Sequence, residues 1–452
     1  MMNAWQAARR SRDARFDGRF FIAVTTTGIY CRPVCPAPSP KEENVRYYPS
    51  AAAAAEAGFR PCLRCRPETS PVWNGTSGTV ARALRLIDES ALDDAGVDDL
   101  AARLGIGSRH LRRLFLEHLG ATPVAVAQTR RIHFAKKLID ETALPFIEVA
   151  LAAGFGSVRR FNTTFKKLYK RTPSELRRLA GKSAVNDPGD YRFRLRFRPP
   201  YDWDRVLAFL RPRAIPGVEI VDDASYRRTI SMDGMSGSLE AHRNVDSIEL
   251  RIQFPGSRQL FRIVERAKRL FDLNADPSEI SACLAQDPIL AARVAARPGL
   301  RVPGAWDGFE LAVRAVLGQQ VTVKGATTLS GRVAAAYGIP FGHGYLFPTR
   351  EAIAEADFAG LGLTSARAET LRQIARAGDF TLDEFRALRG IGEWTAQYYA
   401  MRALHEPDAF PSGDLALLKA AGLTKPRELE LRAEAWRPWR AYAAMHLWQG
   451  EA

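Results

Sequence analysis

The chain has 452 residues, more than one ordinary domain holds, and 46% of them are hydrophobic, enough to bury real cores. Lys and Arg number 65 against 50 Asp and Glu, and the formal charge of +15 points to a polyanionic partner. The basic residues spread along the whole chain instead of crowding one amphipathic helix, and no stretch reaches transmembrane length, so nucleic acid is favoured over a membrane.

Residues 19–26 are rich in Phe, Ile, Val and Thr and predict a strand entering Cys31. Four of the five cysteines stand in two tight pairs, Cys31-x3-Cys35 and Cys62-x2-Cys65. Met1 to Ala8 lacks an apolar core, so no signal peptide is expected, and in a reducing compartment such pairs are metal ligands rather than disulfides. Two short pairs brought together by a fold make a thiolate cage for one Zn²⁺. Between the pairs, Ser50 is the expected N-cap of a short helix over 51–57 that Gly58 stops.

Residues 68–79 are rich in Ser, Thr, Gly and Pro, residues 181–190 repeat that character without apolar period, and both predict linkers. The block between them is helical in pattern and repeats itself. Leu100-Ala101-Ala102-Arg103-Leu104-Gly105 is echoed by Val149-Ala150-Leu151-Ala152-Ala153-Gly154. Each copy has a serine three residues after its glycine, Ser108 and Ser157, expected to cap a basic second helix over 109–117 and 158–170. Helix, glycine turn, cap and basic helix are the helix-turn-helix plan, with the second helix in the DNA major groove. Arg109, His110, Arg113, Ser157, Arg159 and Arg160 are its candidate DNA contacts. The plainer alternative is two helical hairpins with a solvated basic face.

Residues 192–198 and 247–254 alternate apolar and polar side chains and predict strands, with helices dominating from about residue 258. Cys283 is expected to be an inert buried residue. Gly390-Ile391-Gly392 sits between helical patterns. Backbone N–H groups of such a hairpin, feeding a helix N-terminus, can hold a DNA phosphate. Downstream, Asp414 is a carboxylate that could stabilise oxocarbenium charge at an anomeric carbon and orient water. Its plainer reading is an N-cap for a helix over 415–420. Trp394, Tyr398, Tyr399, Trp436, Trp439, Tyr442 and Trp448 surround this region; most belong to the core, and a few could stack on a flipped base.

Three resemblances follow from these motifs. Gly28-Ile29-Tyr30-Cys31-Arg32-Pro33-Val34-Cys35 and Gly58-Phe59-Arg60-Pro61-Cys62-Leu63-Arg64-Cys65 closely resemble the N-terminal domain of the Ada DNA-repair and response family, over roughly residues 3–68. The resemblance implies that all four cysteines ligate zinc and that Cys31 accepts methyl from a DNA methylphosphotriester, with nearby arginines steering phosphate. Pro36-Ala37-Pro38 departs from the family, which has basic residues there. The middle block looks like the double helix-turn-helix of AraC/XylS-type activators.

From about Tyr191 onward the chain is similar to AlkA-type 3-methyladenine DNA glycosylases of the helix-hairpin-helix superfamily. Pro199-Pro200-Tyr201-Asp202-Trp203, Arg314-Ala315-Val316-Leu317-Gly318-Gln319, the 388–396 hairpin and Trp436-Arg437-Pro438-Trp439 carry that likeness. It implies Asp414 as catalytic carboxylate, a base pocket of Phe209, Trp394, Tyr398 and Trp448, and DNA contacts at Gln320, Gly390, Gly392 and Thr395. Gln320 departs from the family's wedge leucine. Trp394 stands where bifunctional members carry a Schiff-base lysine, so hydrolysis without strand cleavage is implied, and no iron–sulfur cysteines follow.

The expected architecture is multidomain and mainly α. It comprises a small α+β zinc domain (1–70), an all-α double helix-turn-helix domain (78–180), an α+β domain with an antiparallel sheet (190–300) and a helical helix-hairpin-helix glycosylase domain (301–452). The expected protein is an alkylation-response regulator and repair enzyme, cytoplasmic and nucleoid-associated in a bacterium. Its expected partners are alkylated duplex DNA, promoter DNA and RNA polymerase. A transcription factor whose last part only binds DNA, and a repair enzyme merely localised by its first two parts, are the rivals.

Overall fold

A computed structural model of the chain describes residues 2–71, 78–93, 95–181 and 189–449. Residues 72–77 and 182–188 of the two expected linkers lie outside the described residues. The chain divides into two compact units, one of Met1–Arg198 with Phe254–Glu265 and one of Pro199–Gln253 with Arg266–Ala452.

The first unit opens with α1 (Met2–Ser11), β1 (Phe21–Val24), β2 (Ile29–Cys31), β3 (Val45–Tyr48), α2 (Ala51–Glu56) and β4 (Arg60–Pro61). The predicted strand over 19–26 is thus shorter, because residues 25–28 turn the chain and Gly28 takes φ +64°. The sheet order is β3-β1-β2-β4. β2 and β4 run parallel with Tyr30 opposite Pro61, so the next residue on each strand is a cysteine, Cys31 beside Cys62. Ser50 caps α2 as expected, accepting from the Ala53 N–H at 3.0 Å.

Among the described residues seven α-helices follow: α3 (Gly78–Asp88), α4 (Val97–Arg103), α5 (Ser108–Leu119), α6 (Pro123–Glu141), α7 (Phe146–Ala152), α8 (Val158–Tyr169) and α9 (Pro173–Ala180). The two helix-turn-helix copies differ in one respect the sequence repeat hides. α4 and α7 start at 97 and 146, whereas α5 and α8 start at 108 and 158, so the second turn carries one more residue. In consequence Ser157 caps α8, accepting from the Arg160 N–H at 3.2 Å, while Ser108 falls inside α5. The expected cap at Ser108 is therefore corrected: the cap position belongs to Gly107, which has no side chain to offer. Leu111, Phe115 and Leu119 on α5, and Phe161, Phe165 and Tyr169 on α8, form the buried stripes at spacing of four. α2 shares a core with these helices, since Ala52 and Ala53 cluster with Leu84, Leu100, Leu111 and Phe115. β5 (Asp190–Arg196) alternates buried and exposed positions as predicted.

The second unit contains α10 (Trp203–Leu210), then β6 (Glu219–Val221), β7 (Ser225–Met232), β8 (Met235–Arg243) and β9 (Ser247–Gln253), an antiparallel run paired in order. After α11 (Leu260–Leu270), which both units share, come α12 (Pro277–Leu284), α13 (Pro288–Ala296), α14 (Gly308–Leu317) and α15 (Val323–Tyr337). A small hairpin, β10 (Ile339–Phe341) and β11 (Gly344–Leu346), precedes α16 (Arg350–Glu355), α17 (Ser365–Ala377), α18 (Leu382–Ala387) and α19 (Glu393–Arg402). The chain ends with α20 (Leu415–Ala420), α21 (Pro426–Ala433) and α22 (Arg440–Trp448). One core gathers α12, α13, α20 and α22 around Trp436, and another gathers α14, α17 and α19 around Leu371, Phe385 and Tyr399. Cys283 is only half-buried, with its thiol 3.4 Å from the Arg437 carbonyl, which corrects the expectation of a buried residue. Among the described residues no helix is long and apolar enough to cross a membrane.

Candidate active site and metal centre

α18 and α19 meet at a hairpin whose shape depends on Gly390. Its φ is +88°, and a Cβ there would lie 2.4 Å from Thr370 Oγ1, so both conformation and space exclude a side chain. Gly392 opens α19 with no side-chain cap, which leaves the first backbone N–H groups of the helix free for an anion. Thr395 is buried. Its hydroxyl accepts from Gln319 Nε2 at 3.3 Å, and the same amide donates to the Gly390 carbonyl at 2.9 Å. The 318–322 loop is thereby tied to the hairpin, with Gln320 exposed and left-handed at φ +55°.

Asp414 precedes α20 as its N-cap and also lines a cavity. Its Oδ1 caps the helix, accepting from the N–H groups of Ala416 and Leu417 at 3.0 and 3.1 Å. Two indoles also converge on it, Trp394 Nε1 on Oδ2 at 2.8 Å and Trp448 Nε1 on Oδ1 at 3.1 Å. A carboxylate with four N–H donors is held in one orientation. It faces a cavity of about 450 Å³ that Trp394, Tyr398 and Trp448 also line. The Trp394 and Tyr398 rings are parallel within 8° at 5.2 Å, a flat apolar wall fit for a base. Phe209 does not line the cavity; it lies behind, under the guanidiniums of Arg213 and Arg402 at 4.0 and 5.0 Å from its centroid.

Three arginines at this cavity went unread in the sequence: Arg213, Arg314 and Arg402. Arg402 had a signal, since Trp394, Tyr398 and Arg402 are spaced by four along α19 and share a face. Arg314 stands in the 314–319 motif with no role read for it, and Arg213, on another element, had no signal. Burial alone would raise the Tyr398 phenol, but Arg402, Arg213 and Arg314 outweigh it and bring it down to about 8.

In the first unit the sulfurs of Cys31, Cys35, Cys62 and Cys65 all lie within 4.8 Å of one another, a donor set that fits one Zn²⁺. Hydrogen bonding to Cys35 first, then to the other two thiols, pushes Cys31 up, while the Cys31 contact brings Cys35 down to about 7. Sulfurs so close cannot all ionise unaided, and a divalent cation relieves that conflict. Cys62 and Cys65 are buried, whereas Cys31 and Cys35 remain partly open. Arg32, expected among the phosphate-steering residues, is instead buried. It pairs with Asp17, donates to the Cys65 carbonyl at 3.0 Å and to Thr69 Oγ1 at 2.9 Å, and its own N–H reaches Cys65 Sγ at 3.4 Å. It therefore clamps the two cysteine pairs together.

Arg109, His110 and Arg113 project from α5 into solvent, with Arg113 Nη2 2.9 Å from His110 Nδ1, and Ser157, Arg159 and Arg160 are exposed at the start of α8.

Three family models match the chain. Residues 3–68 match the family model described as the metal binding domain of Ada, residues 100–179 a helix-turn-helix domain, and residues 192–307 the AlkA N-terminal domain. The chain is 44% identical to the probable bifunctional transcriptional activator/DNA repair enzyme AlkA of Mycobacterium tuberculosis, over 98% of this chain and 95% of that one. It is 35% identical to the DNA-3-methyladenine glycosylase 2 of Escherichia coli, over 57% of this chain and 97% of the relative. Among solved structures, the 3-methyladenine DNA-glycosylase from Archaeoglobus fulgidus superposes with a TM-score of 0.52 at 21% identity, covering 57% of this chain and 97% of that one, a likeness of fold.

Proposed function

The chain belongs to the family of bifunctional transcriptional activator/DNA repair enzymes AlkA, and from that premise we propose that it excises alkylated purines such as 3-methyladenine from DNA and responds to DNA methylation through Cys31. The observation that carries the first activity is Asp414, fixed by Trp394 and Trp448 at a cavity with a flat aromatic wall. A flipped nucleotide stacks on Trp394 and Tyr398, while the Gly390–Gly392 hairpin holds phosphate by backbone N–H groups. As the C1′–N bond breaks, its electron pair leaves with the base and Asp414 stabilises the oxocarbenium charge. Water then bonds C1′ and gives up a proton. Trp394 offers no amine for a Schiff base, so the reaction is hydrolysis without strand cleavage. "Bifunctional" in the relative's name joins regulation to repair and does not bear on this point.

Cys31 and Cys35 are the two partly open sulfurs, and the Ada-like motif favours Cys31 as methyl acceptor. Its thiolate forms an S–CH₃ bond while the C–O bond of the phosphotriester breaks, and the diester departs with the electron pair. Cys31, Cys35, Cys62 and Cys65 would hold the zinc, which would keep such sulfurs deprotonated at neutral pH. Conversion of a thiolate to a thioether removes a negative charge, which favours promoter phosphates near Arg109, His110, Arg113, Arg159 and Arg160 and recruitment of RNA polymerase. On this reading the four parts are 1–70, 78–180, 190–300 and 301–452, working in the cytoplasm on the nucleoid. Phe209 supports the base pocket from behind and Gln320 occupies the wedge position.

Incubation of the full chain with N-methyl-N-nitrosourea-treated duplex DNA tests both activities together. Free 3-methyladenine and one protein-bound methyl on Cys31 are expected. Release of no base, or methyl carried mainly elsewhere, would overturn the corresponding half.

A further inference from the structure

We propose that Tyr398 is the hydrogen-bond donor for the departing base, and that Arg402 and Arg213 behind it tune this chain toward bases that leave as anions. This rests on the glycosylase reading of the Asp414 cavity and adds a specificity-determining residue to it.

The charges around the cavity do not balance. Arg314 is paired with Glu219 at 3.1 Å. Arg402 is 2% exposed, yet its donors go to two backbone carbonyls, Pro303 at 2.9 Å and Gly304 at 2.7 Å, and to Tyr398 Oη at 2.7 Å. Arg213 donates to the Phe209 carbonyl at 2.9 Å. Among the described residues neither Arg402 nor Arg213 has a carboxylate within ion-pair distance. Two unmatched guanidiniums thus face a cavity whose one lining carboxylate is Asp414.

Hydrogen-bond bookkeeping at Tyr398 gives the direction of the donor. A guanidinium can only donate, so Tyr398 Oη is the acceptor from Arg402. The phenol's single hydrogen is left over, and among the described residues no acceptor takes it. Tyr398 lines the cavity, and on this proposal its hydrogen is offered to a base seated there. The same guanidiniums that occupy the oxygen make the phenol more acidic and the donor stronger.

Two lesion classes feel this arrangement differently. An N-alkylated purine is already cationic and leaves as a neutral base, so a donor aimed at its departing electron pair adds little. A neutral modified purine keeps no such charge, and when its C1′–N9 bond breaks the electron pair departs with it as an anion. A donor aimed at that anion is stronger in the transition state than in the ground state, and only such an interaction accelerates the step. Water supplies the new C1′–O bond, and its released proton finally neutralises the base.

The test compares single-turnover excision of hypoxanthine and 7-methylguanine from otherwise identical duplexes by the wild-type chain and Tyr398→Phe. Phenylalanine keeps the ring and its stack on Trp394, so a general packing defect would lower both rates alike. The proposal expects the hypoxanthine-to-7-methylguanine rate ratio to fall by about tenfold or more in Tyr398→Phe. A ratio that stays the same or rises overturns it, as does a wild-type chain that releases 7-methylguanine but no hypoxanthine. If the wild type releases neither base, the glycosylase reading itself fails.

Discussion

Tyr30 Oη and His133 Nε2 meet at 2.9 Å, joining the residue before Cys31 to the middle of α6. Burial holds this imidazole neutral and pushes it down to about 3 from its ordinary 6.5. The unfolded chain therefore takes up a proton that the folded one refuses. The contribution of neutral His133 to stability is complete above about pH 6.5 and is lost as pH falls from there toward 3. Urea midpoints of wild type and His133→Gln, followed by a probe in the first unit, should lie furthest apart near pH 7.5 and draw together progressively as pH falls below about 6.5. A gap independent of pH would show that the imidazole does not carry this linkage.

Ser157 and Ser108 look equivalent in sequence and are not. Ser157 satisfies a backbone N–H at the start of α8, whereas Ser108 lies within α5 after a turn one residue shorter. Ser157→Ala should cost about 1 kcal/mol, the usual loss of a cap, and weaken sequence-specific DNA binding through fraying of α8. Ser108→Ala should change stability by less than about 0.5 kcal/mol. Equal losses in thermal denaturation would contradict the asymmetry.

Much of the molecule was legible because its signals are local. The cysteine spacing, the Ser50 cap, the glycine hairpin and the alternation of β5 and β9 are each written within about ten residues. The misread positions depend on counting or on distance. Ser108 lost its cap to one missing turn residue, and Arg32 turned inward because Asp17, fifteen positions earlier, receives it. Asp414 illustrates why two readings of one residue need not compete: its cap bonds fix the carboxylate that the indoles then hold. Arg213 and Arg314 reach the cavity from separate elements, and no periodicity connects them with Trp394.

Gly390→Ala should damage the hairpin without touching the chemistry. The substitution demands φ near +88° from a residue with a Cβ and drives that atom against Thr370. A cost of about 1–3 kcal/mol is expected. DNA affinity should fall by a similar factor for alkylated and undamaged duplexes, as expected of a hairpin that holds phosphate and reads no base. A loss confined to alkylated DNA would argue against that role.

Removal of zinc should affect the two units unequally. The cysteine module has two small cores, one of Phe21, Ala23, Tyr30 and Ala54 and one of Ala8, Phe20 and Ile22, while Arg32 and the four sulfurs tie its cysteine pairs. Structural zinc commonly supplies about 10–16 kcal/mol to such a module. A strong chelator or Cys62→Ala should therefore open residues 1–68 to protease while base excision continues. Protection of that segment in metal-free protein, verified by mass spectrometry, would sink the idea.

Asp414→Asn is the sharpest test of the excision chemistry, because the isostere separates charge from shape. Asparagine keeps an oxygen for the Ala416 and Leu417 N–H groups, so α20 stays capped. Its amide must then face the Trp394 indole N–H that now donates at 2.8 Å, and two donors cannot bond each other. The variant loses both the negative charge and one of its supports. Release of 3-methyladenine should fall by about 10²–10³-fold, the usual loss on removing a stabiliser of transition-state charge. DNA affinity should hold or rise slightly, since one negative charge near phosphate is gone. Borohydride should trap no protein–DNA adduct with either form, because Trp394 cannot form an imine. Excision at the wild-type rate, or a trapped adduct, would remove Asp414 from the centre of the reaction.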